Sequence, residues 1–158
     1  MPNATLEGSS MTNLRLAEAF LERARARLRA LEALRHEADF SDVIREARDI
    51  VELCFRGMLR IMGTEVPRWR DVGEVLTESI GRLPLEVTSQ RDRIIEIYRD
   101  LSKERQAVPA DEVPTPVVKL LLADADRAIA EAEWILELAQ LTVDIISHRR
   151  VPAPSTSR

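Results

Sequence analysis

The sequence predicts an all-α protein, an up-and-down helical bundle of five helices at about residues 12–36, 40–62, 72–82, 89–106 and 116–147. Three observations carry this. Apolar residues recur at alternating spacings of three and four through most of the chain, which lines them along one side of a helix. Only five glycines and 4% aromatics stand among the 158 residues, too few of either for the many turns and packed strands of a β-sandwich. Apolar residues make up 45% and charged ones 32%, a balance that suits a folded, water-facing domain and neither a disordered nor a membrane-embedded chain. A chain of this length buries roughly 68–70% of the surface its unfolded form exposes, so its core needs no metal or disulfide staple.

The first helix follows Thr12 or Asn13, and Leu14, Ala17, Leu21, Ala24, Leu28 and Leu31 form its packing seam. Asp39, with Asp42 three residues on, caps a second helix whose inner stripe is Ala47, Val51, Cys54, Met58 and Ile61, and Gly63 stops it. These two helices are expected to pack antiparallel. Asp71 and Glu74 make a capping box for a short third helix carrying Val72, Val75, Leu76 and Ile80, which Pro84 closes. Ser89 with Asp92 is read as the start of the fourth, with Ile94, Ile95, Ile97, Tyr98 and Leu101 as its apolar face. Three prolines then force a loop at 107–116, and Thr115-Pro116 opens the last helix, because proline at the first helical position lacks only an N–H that has no partner there. Val118, Leu121, Ala125, Ala128, Ala132, Ile135, Ala139, Thr142 and Ile146 hold the helical spacing to its end, with a restart at Asp124 as the alternative. The bundle is thus expected at 12–147, between disordered segments at 1–11 and 148–158, which are small, polar and without apolar periodicity.

A net charge of −4 removes any overall attraction to nucleic acid or an anionic membrane surface. The first eleven residues lack the basic start and apolar run of a signal peptide, and no stretch of 18 uninterrupted apolar residues occurs. Together with a single cysteine, Cys54, placed in an apolar stripe, this leads us to expect a cytoplasmic protein with no membrane association. His36 and His148 have no Cys, Asp or Glu at metal-ligand spacing, so both are expected at the surface and no metal or other cofactor is expected. Gly-rich phosphate loops, nucleophile elbows and Cys-x-x-Cys pairs are missing from the sequence.

On the second helix Arg45, Asp49, Glu52, Arg56 and Arg60 share a face beside the apolar stripe, with Glu52 and Arg56 in the favourable order for an ion pair. This face is either a solvated, salt-bridged exterior or the wall of a polar groove. The arginine pairs Arg23 with Arg27 and Arg25 with Arg29 point to different sides of the first helix, and Glu18, Glu22 and Glu32 stand ready to neutralise them. Trp69, between Arg68 and Arg70, is expected to cover the end of the helical core; the other reading is a ring on which a base stacks. Phe55 and Leu59, and Trp134 and Leu138, lie off the inner stripes of the second and last helices. This extra apolar coverage predicts a homodimer.

The stretch AEAFLERARARLRALEALRHEADFSDVIREARDIVELCFRGMLRIMGTEVPRWRDVGEVL, with Ala-Arg-x-x-Val-Glu-Leu at 47–53 and Gly63, Val66 and Pro67 before an Asp-led helix, resembles the HEPN domain (higher eukaryotes and prokaryotes nucleotide-binding). The later ADADRAIAEAEWILEL is similar to that family's closing helix, so the resemblance covers about residues 14–140. It implies a compact, usually dimeric bundle that in prokaryotes often works with a small nucleotidyltransferase partner. Many members are metal-independent endoribonucleases, some of them toxins of toxin–antitoxin pairs. Their motif is an Arg followed after four to six residues by a His before the last loop. The corresponding stretch here, YRDLSKERQAVPADEV, holds no histidine. An Arg29-to-His36 spacing matches the motif but sits on the first helix. An ordinary Asp or Glu titrates near pH 4 and shuttles protons poorly at neutral pH. The resemblance therefore implies a non-catalytic binding protein for a nucleotide, RNA or a nucleotidyltransferase, with a groove lined by Glu52, Arg56, Arg99 and Arg105. Endoribonuclease and purely structural bundle are the alternatives.

Overall fold

A computed structural model describes residues 3–37, 39–103 and 115–150. Every regular element among them is helical: α1 Asn3–Leu34, α2 Phe40–Ile61, α3 Val72–Ser79, a 3-10 turn Ile80–Arg82, α4 Leu85–Thr88, α5 Arg91–Leu101 and α6 Thr115–Arg150. The loop expected at 107–116 and the tail beyond Arg150 lie largely outside the described residues.

α2 begins and ends as its sequence dictates. The Asp39 carboxylate accepts from the Ser41 backbone N–H at 2.8 Å and from its hydroxyl at 2.5 Å. Those bonds hold it below the ordinary carboxylate pKa. At the other end Gly63 takes φ +84°, its N–H bonds the Arg60 carbonyl and the Thr64 N–H bonds that of Leu59. This is a Schellman stop, which needs a residue free to enter the left-handed region. α3 starts at Asp71, whose carboxylate accepts from the Glu74 N–H at 3.1 Å.

The boundaries differ from expectation at three places. α1 starts at Asn3 rather than near residue 12, because extending an existing helix through Ala4, Leu6 and Glu7 escapes the cost of nucleation. The helix expected at 89–106 is two helices, α4 and α5. The Pro84 carbonyl takes the N–H groups of Val87 and Thr88, so a single turn forms earlier, and Ser89 ends that turn instead of capping α5. α6 runs unbroken past Asp124, which pairs with Arg127 one turn on.

Arg27 pairs with Glu46, and Gly57 packs on Leu21, so α1 and α2 are antiparallel as expected. Arg25 bonds Gln140 and Arg35 bonds Asp126, so α6 is also antiparallel to α1. α2 and α6 therefore run the same way, and the chain returns between them through α3–α5. α2 is the centre of the molecule, packed between α1 and α6 and against α3 and α5. For that reason Phe55, Leu59 and Leu138, expected on outward apolar faces, are buried inside one bundle at 1%, 0% and 8% exposure. Trp134 is half-buried, with the Arg93 guanidinium 3.9 Å above its ring. The apolar surplus that predicted a homodimer is core.

Cys54 is wholly buried, and burial pushes its thiol from an ordinary 9.0 up to about 12. A thiol held neutral is a poor nucleophile. Ellman's reagent at about pH 8 is expected to leave the native protein unlabelled and to react with one thiol once urea unfolds it. Because the folded-state pKa is the higher one, the contribution of this group to stability is complete below about 9 and is lost as pH rises toward about 12.

Candidate functional site

A groove of about 380 Å³ opens between α3 and α5, within the size range of small-molecule sites. Its floor is apolar, formed by Phe55 of α2, Leu76 of α3, Ile80, and Ile94 and Ile95 of α5. Its rim carries Asp71, Glu74, Glu78, Tyr98 and Arg99. α3 supplies one wall because Val72, Val75 and Leu76 turn inward at helical spacing. α5 supplies the other by burying Ile94, Ile97 and Leu101.

Tyr98 joins the two walls to α2. Its hydroxyl lies 3.0 Å from Asp71 Oδ2 and 3.1 Å from Glu52 Oε1. Its ring meets Phe55 at a centroid distance of 5.3 Å and an angle of 56°, a favourable tilted contact. Gly73 makes room for that ring: a Cβ there would stand 2.0 Å from Tyr98 Cε1. Burial, followed by the Glu52 carboxylate and the hydrogen bond to Asp71, pushes the phenol well above its ordinary pKa. It remains a neutral hydroxyl at physiological pH. Arg48 Nε sits 3.2 Å from Glu52 Oε1 in charge contact, yet it is buried and makes no hydrogen bond.

Of the four residues expected to line a groove, Arg99 is on the rim, exposed and without an ion pair among the described residues. Glu52 reaches the groove only through Tyr98. It pairs with Arg48 rather than Arg56, because Arg48 also lies within charge range of Tyr98 and Asp71. Arg56 is half-exposed and does not line the groove. Arg105 lies outside the described residues, as do Glu104 and Asp111.

The rest of the polar α2 face is a salt-bridged exterior. Arg27 meets Glu46 at 2.6 Å and Asp49 at 3.3 Å, and Arg45 meets Asp42 at 3.1 Å. His36 and His148 are exposed, the first beside Arg35 and the second against the Asp144 carbonyl, and neither lines the groove. Trp69 does not cover the core; it is 83% exposed, because Arg70 turns away to bind Glu78 at 2.6 and 3.0 Å and leaves the loop tip in water. No group of His, Cys, Asp and Glu among the described residues could hold a metal ion. None of their helices is long and apolar enough to cross a membrane.

Sequence reasoning missed Arg48, Tyr98 and Asp71 as site residues, reading Tyr98 as part of an apolar face and Asp71 only as a cap. One signal was available, the glycine at position 73 inside an otherwise apolar helix, which marks a close approach by another group.

Three long packed helices, with a ligand-sized groove held on one side by short ones, define a helical-bundle class of binding domain. Within that class the chain belongs to the HEPN domain family, whose model matches residues 17–142. The matched region contains every residue that lines the groove. The family is one of nucleotide- and RNA-related helical domains that often dimerise. Neither a curated protein nor a solved structure matches the chain.

Proposed function

We propose that this HEPN-family protein is a non-catalytic binding protein whose α3–α5 groove takes a nucleotide or an RNA end. The base lies on the apolar floor and the phosphate lies toward Arg99, with Arg105 beyond it on the same chain segment as a second phosphate contact. The observation that carries this reading is the groove itself: ligand-sized, apolar below, and edged by a phenol, carboxylates and one uncommitted guanidinium. Against catalysis stand the chemistry of Tyr98 and the sequence. Proton transfer at neutral pH needs a group that titrates near 7, whereas Tyr98 is pushed away from that range and no described groove residue is a histidine. The exposed Trp69, two residues before Asp71, and its neighbour Arg68 offer a stacking ring and a guanidinium for an adjacent nucleotide.

One observation favours a second reading, a docking module for a protein such as a nucleotidyltransferase: Trp69 and Leu85, on the segments flanking α3, are 83% and 77% exposed. A titration separates the two. With short oligoribonucleotides in EDTA, Trp69 fluorescence is expected to change saturably and the RNA to stay intact. Arg99→Ala is expected to weaken binding about tenfold. A ligand at about a hundred times its dissociation constant adds about 2.7 kcal/mol to stability, so the absence of any thermal shift with nucleotides or RNA would favour the docking module. RNA cleavage in EDTA that is lost in Arg105→Ala would make the protein an endoribonuclease instead.

A further inference from the structure

We infer that the groove selects a nucleobase bearing an exocyclic amine, read at the junction of Asp71, Glu52 and Tyr98. This deepens the nucleotide reading of the same groove and rests on it. The argument is an inventory of hydrogens. A phenol has one to donate, and two carboxylate oxygens stand 3.0 and 3.1 Å from the Tyr98 oxygen. Only one can receive it at a time. Asp71 Oδ1 takes the Glu74 N–H, but each carboxylate oxygen accepts two bonds, so Asp71 retains capacity on the groove side. The nearest other donor, Arg48 Nε, is 3.2 Å from Glu52 and makes no hydrogen bond with it. The junction is therefore short of donors.

The charges along the rim agree. Asp71, Glu74 and Glu78 line the groove opposite one cation, Arg99. Arg70 occupies Glu78 at 2.6 Å and stands 3.8 Å from Glu74, while Asp71 has no ion pair among the described residues and lies within the groove wall. A base edge that presents a carbonyl here would face a carboxylate across a short gap, acceptor against acceptor. An amine supplies the missing hydrogen to Asp71 or Glu52 while Tyr98 keeps its bond to the other. The phosphate of the same ligand is repelled from this end and lies toward Arg99. Asp71 is solvent-exposed, so water competes for its oxygens and the selection is moderate rather than absolute.

The test compares adenosine monophosphate with purine riboside monophosphate, which differs only by lacking the amine, using calorimetric titration of the full chain. Adenosine monophosphate is expected to bind about tenfold more tightly. In Asp71→Asn, which keeps an N-cap acceptor for α3 but removes the charge, the ratio is expected to fall toward one, with melting curves confirming that the variant is folded. Equal affinities in the wild type would overturn the inference and leave the nucleotide groove standing. A preference that persists unchanged in both Asp71→Asn and Glu52→Gln would also overturn it, by placing recognition of the amine elsewhere. Failure of both nucleotides to bind would overturn the inference together with the reading beneath it.

Discussion

Phe55→Ala is expected to lower stability by about 3–5 kcal/mol, the largest effect of any single truncation in this core. Phe55 is 1% exposed, floors the groove and carries the tilted contact with Tyr98. Its loss leaves a cavity that α2 cannot close, because that helix is packed against neighbours on several sides. For a chain of this size each kcal/mol lowers the melting temperature by about 2–4 °C. The same experiment decides where this side chain lies. Urea unfolding at two protein concentrations is expected to show the same shift at both, since the ring is buried within one bundle. A shift that grows on dilution would put it at an interface between chains.

The second large effect is at Gly73. Gly73→Ala puts a carbon 2.0 Å from Tyr98 Cε1 and 2.4 Å from Cδ1, so the ring must leave its seat, releasing Asp71 and Glu52. Overpacking of this kind costs about 1–3 kcal/mol even after some relaxation, against a helix-propensity gain of up to about 1 kcal/mol for alanine over glycine. The sign of the effect is expected to reverse when the ring is absent. In a Tyr98→Ala background Gly73→Ala should stabilise, because only the propensity gain remains. A double-mutant cycle with no coupling between the two positions would show that the ring does not rest on Gly73.

These two positions also show what a sequence can and cannot disclose. The bounds of α2 were legible because they are set by neighbours in the chain: Asp39 and Ser41 at one end, Gly63 and Thr64 at the other. The division into α4 and α5 was not, since a single helical turn has no periodicity and Ser89 with Asp92 imitates a cap. Burial periodicity placed Phe55 off the inner stripe, which is correct on a helix with one covered face and wrong on one packed by several neighbours. Glu52 and Arg99 were named as polar residues near a groove, and the structure brings both to the Tyr98 wall, one through its hydroxyl and one as its neighbour on the rim. Their meeting point was invisible because the Tyr98 hydroxyl joins residues 46 and 27 positions away. No local pattern records such a distance.

The groove is also set apart by how its walls are anchored. α1, α2 and α6 touch one another in every pairing, whereas α3 and α5, of 8 and 11 residues, rest mainly on α2. Proteins open in cooperative units whose opening free energies range from near zero to that of global unfolding. The segment from α3 to α5 is the unit with the lower opening free energy, and the groove exists only while both of its walls are seated. Apparent affinity is the intrinsic affinity scaled by the fraction of molecules in which it is formed. Any ligand that touches both α3 and α5 raises that fraction, so binding tightens the lightly anchored side of the molecule and leaves the three-helix frame as it was.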